Sequence, residues 1–271
     1  MDWSRTKSIF IIVFSILNIF LYSLYLERYT EAENYSKLSE PAVDARLEID
    51  NITYPDNLEA DPGEEPYISG TRKTFATEDA PSENIRAAAV EEDYLLNVAF
   101  SEPVSIGDNK SKESLEAFIA GNVYEGDEYV LWEVNEEENT AIFYQVIEGK
   151  TLYHSDSGKV TLFFNDEGKA VRYEQTIFTD LVPNAQSKDL ISPKRAIETL
   201  YQNGLLQQNS EVLSVDLGYS VYVAVSDETR MFLPTWRVIV ELEDGSTADY
   251  FVNAVKDGII EFKAPEEEGS E

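Results

Sequence analysis

Three features of this sequence predict an α+β fold in which a single N-terminal transmembrane helix precedes two tandem helix-plus-meander units. One is an apolar run near the start. Another is a pair of capped helical segments, around residues 111–121 and 192–203, each followed by strands. The third is a set of alternating, β-branched and aromatic runs bounded by turn residues such as Asp156-Ser-Gly158, Asn165-Asp-Glu-Gly168 and Glu243-Asp-Gly-Ser246.

The apolar run, residues 9–26, carries no charge, proline or glycine. At about 1.5 Å per residue it spans roughly the hydrocarbon thickness of a bilayer, where a backbone must close its hydrogen bonds within a helix. Arg5 and Lys7 precede it, whereas Glu27, Arg28, Glu31 and Glu33 follow, and Trp3 suits the headgroup level. The positive-inside bias then keeps residues 1–8 in the cytoplasm and exports everything after Leu26. A cleaved signal peptide is the rival reading, but the run ends in Tyr22-Ser-Leu-Tyr-Leu26 with no small-residue cleavage site. Ser8, Ile11, Ser15, Asn18, Tyr22 and Tyr25 recur at steps of three and four, so they share one stripe of the helix. This stripe is the candidate interface with partner membrane helices. Asn18 lies near mid-bilayer, where an interhelical hydrogen bond is worth about 1 kcal/mol; the alternative is that Ser and Asn bond back to their own helix.

Beyond the span, residues 27–44 form a juxtamembrane segment able to continue the helix until Pro41 stops it. Residues 45–110 are the N-terminal part of the exported domain. Arg46-Leu-Glu-Ile49, Ile52-Thr-Tyr54 and Pro66-Tyr-Ile-Ser69 read as strand pieces, Ile85-Arg-Ala-Ala-Ala-Val90 as a helical tendency, and Tyr94–Phe100 as a better strand. The first helix-plus-meander unit is 111–182: a helix capped by Ser111 with apolar Leu115, Phe118 and Ile119, then strands at 129–134, 140–147, 160–165 and 170–178. The second is 183–264: Ser192 as cap, Pro193 at the first helical position, Gly204 as stop, Ile197, Leu200 and Tyr201 on the apolar face, then strands at 219–225, 235–242 and 247–253. Alternation of Trp236, Val238 and Val240 with Arg237, Ile239 and Glu241 suits a sheet covered on one side by the helix. Residues 265–271 are an acidic tail.

Composition narrows the function. The chain of 271 residues has net charge −31, and of its 21 Lys+Arg and 52 Asp+Glu only Asp2, Arg5, Lys7, Glu27 and Arg28 lie before residue 30. Such a field repels nucleic acid and anionic headgroups from the exported part. With no cysteine there are no disulfides, thiolate metal sites or thiol nucleophile. The single histidine, His154, falls in the turn Leu152-Tyr-His-Ser-Asp156. Neighbours in a tight turn cannot hold nucleophile, base and orienting acid in line. No zinc pattern, calcium loop or phosphate-cradling glycine run is present, so no catalytic residue, metal or cofactor is expected. A wall-fragment or peptide binding module would reveal itself by a concave aromatic patch.

The opening Met1-Asp-Trp-Ser-Arg-Thr-Lys-Ser-Ile-Phe-Ile-Ile-Val-Phe-Ser-Ile-Leu-Asn-Ile-Phe-Leu21 resembles the start of the YycI (WalI) family of Gram-positive bacteria. Leu233-Pro-Thr-Trp-Arg-Val-Ile-Val240 and Tyr250-Phe-Val-Asn-Ala-Val255 carry a further similarity, although the exported part is unusually acidic for such a protein. The resemblance implies a non-enzymatic regulator of the WalK/WalR two-component system of cell-wall homeostasis. Its implied partners are the sensor histidine kinase WalK and the companion protein YycH, both reached through membrane helices.

Overall fold

The computed structural model describes residues 7, 10, 11, 13–22, 43–58, 61–81, 84–107 and 110–262. Two compact units emerge: Met1–Thr53 with Gln207–Ser210, and Tyr54–Leu206 with Glu211–Glu271.

In the first unit, Lys7, Phe10, Ile11 and residues 13–22 are helical, and Phe10, Ile11, Val13, Phe14, Ile16, Leu17, Ile19, Phe20, Leu21 and Tyr22 are each half exposed or more. Among the described residues no helix is long and apolar enough to cross a membrane. Trp3, Arg5, Ser8, Tyr25, residues 27–42 of the juxtamembrane segment with Pro41, and the tail 265–271 lie outside the described residues. Residues 43–49 form helix α1, where a strand piece is expected from Arg46-Leu-Glu-Ile49. Val43 and Leu47, four apart and both buried, set a helical period, whereas Ile49, which would extend a two-residue alternation, is 80% exposed. Asp50 and Ile52 close the helix by donating their N–H groups to the carbonyls of Arg46 and Leu47. Thr53 then donates to Ser210, and Asn51 and Asp50 bond Asn209 and Gln208.

The second unit is a mixed α+β body dominated by β-sheet. Its first part contains β1 (Glu64–Arg72), β2 (Ile85–Glu91) and β3 (Leu95–Val104), then helix α2 (Lys112–Asn122). Next come β4 (Tyr129–Asn135), β5 (Thr140–Ile147), β6 (Lys150–Tyr153), β7 (Lys159–Phe164), β8 (Ala170–Gln175) and β9 (Phe178–Asp189). After helix α3 (Pro193–Gln202) follow β10 (Glu211–Ala224), β11 (Thr229–Glu241), β12 (Thr247–Asn253) and the two-residue β13 (Ile259–Ile260). The strands join in one sheet ordered β13-β12-β11-β10-β6-β5-β7-β8-β3-β2; β4 also pairs with β5, and β1 lies between β11 and β9.

Both helices start as their caps dictate. The Ser111 and Ser192 hydroxyls accept the N–H groups of Ser114 and Arg195, relieving orphan donors of the first turn. Helix α2 packs against β4, and its Leu115, Phe118 and Ile119 enter one core with Leu96, Val98, Phe143, Leu162 and Tyr173. Each such buried apolar side chain contributes about 1.5–3 kcal/mol. Helix α3 packs on β11 and β12 with Ala196, Ile197 and Leu200 buried, against Trp236, Val238 and Val240. The alternation along β11 is therefore as expected, and Trp236 donates its indole N–H to the Ile191 carbonyl, 3.0 Å away. Gly168 (φ +74°) closes the β7–β8 hairpin in a conformation that costs glycine little, with Asn165 Oδ1 accepting from Glu167 and Lys169.

Three elements of the second unit also differ from the sequence expectation. Residues 85–90 are strand β2 rather than helix: pairing with β3 and packing of Ala88 and Val90 on the core outweigh the helical preference of the alanine run. Leu152 and Tyr153 belong to strand β6, so the turn begins at His154. β9, twelve residues long, is unexpected because Pro183, Asn184, Gln186, Ser187, Lys188 and Asp189 lack a strand's apolar alternation. Among the described residues it pairs with β1 alone, and an edge position tolerates both a proline and a solvated face.

Short β6 is the link between the two halves of the sheet. It pairs antiparallel with β5 (Val146 with Thr151, Ile147 with Lys150) and parallel with β10 (Tyr219 with Leu152, Ser220 with Tyr153). Ile68, Ile147, Leu152, Phe178, Tyr219 and Phe232 make a second core at this junction. Gln145, fully buried, clamps it: Nε2 donates to the Phe178 carbonyl at 2.9 Å and Oε1 accepts the Phe178 N–H at 2.9 Å.

Candidate functional site

The face of β11 and β12 opposite α3 carries Arg237, Ile239, Thr247, Asp249 and Phe251, which cross-strand pairing places side by side: Arg237 opposite Phe251 and Ile239 opposite Asp249. Trp132 and Glu133 from β4, His154 from the turn after β6, and the segment Ile259 to Phe262 rise around this floor. They enclose a cleft of about 970 Å³. Its walls are aromatic. Trp132 meets His154 edge-on at 5.0 Å between ring centroids, His154 meets Phe251 edge-on at 5.2 Å, and Phe262 stacks on His154 at 4.6 Å and stands edge-on to Phe251 at 4.8 Å. Tyr153 backs the cluster, 5.3 Å from Phe251.

One ion pair crosses the floor. Arg237 donates to Asp249 Oδ2 from Nε at 3.1 Å and from Nη2 at 2.6 Å, and its guanidinium lies 4.0 Å above the Trp132 ring. A forked carboxylate contact and a cation–π contact together fix the arginine plane. Glu133 and Glu261 stand exposed at the rim.

The neighbouring rings desolvate part of the otherwise exposed His154 imidazole and, aided by the Arg237 charge and opposed by Asp249, hold it below its ordinary value of 6.5. The unfolded chain therefore takes up this proton first as pH falls. Stability is full above pH 6.5 and declines as pH drops through the window between 6.5 and the depressed native value. Denaturant unfolding at pH 7.5 and pH 5 is expected to show a smaller acid loss for His154→Gln than for the native chain, since glutamine does not titrate. Burial beside the cleft shifts Tyr153 the other way, above the ordinary phenol value of 10, so it stays a neutral phenol.

The triad types around His154 do not converge. Ser155 and Ser157 are buried, Ser155 Oγ accepting the Ser157 N–H, while His154 and Asp156 are exposed. Among the described residues no group of three or more His, Cys, Asp or Glu could hold a metal ion. Of the stripe, Ile11, Ser15, Asn18 and Tyr22 are helical and exposed. Asn18 Nδ2 donates to the Phe14 carbonyl 3.0 Å away, a bond within its own helix.

The sequence reading missed the cleft. Arg237, Asp249 and Phe251 could have been found as charged and aromatic residues on the face of β11–β12 that the helix leaves uncovered. Trp132 and His154 give no such signal, because only the folding of the sheet brings them to that face.

The model of the YycI protein family matches residues 30–255. The chain belongs to the YycI family. YycI proteins are a regulatory family and are not known as enzymes. No curated protein matches the chain. Among solved structures, this YycI family member is similar to an uncharacterised protein from Eubacterium rectale ATCC 33656 (8% identity, 79% of this chain and 92% of the other, TM-score 0.44). It is also similar to the Bacillus megaterium YpeB C-terminal domain (15% identity, 66% and 88%, TM-score 0.42) and to YycH from Bacillus subtilis (10% identity, 68% and 52%, TM-score 0.40).

Proposed function

We propose that this YycI family member is a membrane-anchored regulator of the WalK sensor kinase that acts together with YycH through contacts between membrane helices. The family match over residues 30–255 carries the regulatory reading. The anchor reading is supported by the uncharged run 9–26 and by the exposure of Phe10, Ile11 and the apolar side chains within 13–22, since exposed apolar helix surface needs a lipid or protein surround. In this reading the N-terminus is cytoplasmic, and residues from 27 onward are extracytoplasmic. Ser8, Ile11, Ser15, Asn18, Tyr22 and Tyr25 form the face toward partner helices. The Asn18 carboxamide, bonded to Phe14, keeps a second N–H and an oxygen with which to reach a neighbour.

Replacing Ser15 and Asn18 together by leucine is expected to reduce co-purification with WalK or YycH about five-fold from native membranes, the equivalent of about 1 kcal/mol of interhelical bonding. Kinase output should shift with it. Unchanged recovery and output at equal expression would remove the stripe from the mechanism.

The aromatic cleft favours a second reading, that the exported part is also a binding module for a wall fragment or peptide. Calorimetric titration of the full chain with muropeptides tests its saccharide form.

A further inference from the structure

We propose that the outer edge of β12, beside the cleft, is a docking site for an extended partner segment in which apolar or aromatic side chains alternate with lysine or arginine, and that β13 with Phe262 occupies part of that site until the partner arrives. This rests on the binding-module reading and names its ligand class.

The ladder is lopsided. All seven residues of β12 pair with β11, Thr235 to Glu241 matching Asn253 to Thr247 in order. On the outer side, among the described residues, only Phe251 and Val252 are paired, with Ile260 and Ile259. The Asn253 N–H donates outward to the Gly258 carbonyl, so in an antiparallel ladder the N–H and C=O groups of alternate residues, Phe251, Asp249 and Thr247, face the same way. Asp249 and Thr247 thus present strand-edge donors and acceptors along the rim of the cleft. Such an edge is a template for strand addition.

The chain already shows how a side chain would sit there. Extending the β12–β13 register sets Phe262 opposite Asp249, on the cleft face, and its ring stacks on His154 and stands edge-on to Phe251. A segment held by two ladder pairs and one aromatic ring is replaceable by a strand that pairs along the whole edge.

The chemistry of the walls selects a peptide over a saccharide. Leu205, Ile239, Phe251, Ile259 and Ile260 make the lining apolar, and the planar polar groups a sugar would use, Arg237 and Asp249, are committed to each other. Charge complementarity selects a basic one. Glu133 and Glu261 stand at the rim, Asp249 neutralises Arg237, and the chain as a whole carries −31.

The test uses the full chain in detergent micelles and a fluorescein-labelled acetyl-Lys-Ile-Lys-Phe-Lys-amide probe, followed by anisotropy and by hydrogen exchange. Binding is expected to protect the amides of Thr247 and Asp249 and to expose those of residues 259–262. Phe262→Ala, which weakens the stand-in, should tighten binding about five-fold; Thr247→Pro, which removes an outward N–H at the start of β12, should weaken it about ten-fold. The proposal is overturned if neither the native chain nor Phe262→Ala binds, or if a probe with serine in place of Ile and Phe binds equally. Unchanged exchange at Thr247 and Asp249 on binding overturns it too. Protection of those amides by an N-acetylglucosamine tetramer instead would overturn the peptide assignment while leaving the binding-module reading standing.

Discussion

Gln145→Leu is expected to destabilise the fold by about 3–5 kcal/mol, read as a fall in the denaturant midpoint with the slope unchanged. Leucine branches at Cγ and is one bond shorter than glutamine, so a small packing loss accompanies a mainly polar one. Gln145 is wholly buried and satisfies both the N–H and the carbonyl of Phe178, and its Nε2 also reaches Glu128 at 2.9 Å. Leucine strands the two Phe178 backbone groups away from water, at about 1–3 kcal/mol each. Gln145→Glu is the informative companion. Its carboxylate keeps an acceptor for the Phe178 N–H but loses the donor to the Phe178 carbonyl, and it faces Glu128. It is expected to be destabilising at neutral pH and to recover as the solution is acidified and the new carboxyl protonates.

Gly218→Ala is the second large effect, expected at about 3 kcal/mol. A Cβ at this position would lie 2.3 Å from the Tyr153 ring and 2.5 Å from the Thr151 backbone oxygen. The ring has room to turn only at the expense of its packing on Trp132 and Phe251 and of its hydroxyl bond to the Asp216 carbonyl. The Thr151 carbonyl belongs to the four-residue strand joining the halves of the sheet, so backbone must separate from backbone. Overpacking of this kind costs about 1–3 kcal/mol even where side chains alone yield. Since Tyr153 also backs the aromatic cleft, the variant should broaden the His154 and Phe262 resonances, which a core mutation elsewhere would leave sharp.

Much of the fold was legible because local chemistry and tertiary packing agree. Ser111 and Ser192 cap where expected, Leu115, Phe118, Ile119, Ile197 and Leu200 are the buried helix faces, and the alternation along β11 separates helix side from cleft side. Disagreement between levels explains the rest. The Ala87–Ala89 run prefers helix by itself and becomes strand only because β3 stands beside it. β9 carries a solvated edge sequence, and β6 is too short for a periodic signal. Val43 and Leu47 fit a helix, but a four-residue window containing Leu47 and Ile49 reads equally well as a strand. The cleft was the least legible feature of all. Trp132 and His154 lie about a hundred residues of chain before the β11–β12 floor beside which they stand, and nothing in their local sequence distinguishes them from ordinary surface or turn residues.

The position of β1 has a consequence for how this chain matures. Among the described residues, Glu64–Arg72 finds its partners in Phe178–Asp189 and Thr229–Glu241, both far downstream of it. As the polypeptide emerges, one edge of this early strand stays bare until residues 178–189 have been delivered and the other until residues 229–241 have. Long-range closure of that kind is slow and leaves unpaired edges open to the wrong neighbour. The interval between emergence and closure is therefore the stretch of the protein's life in which a holding chaperone matters most.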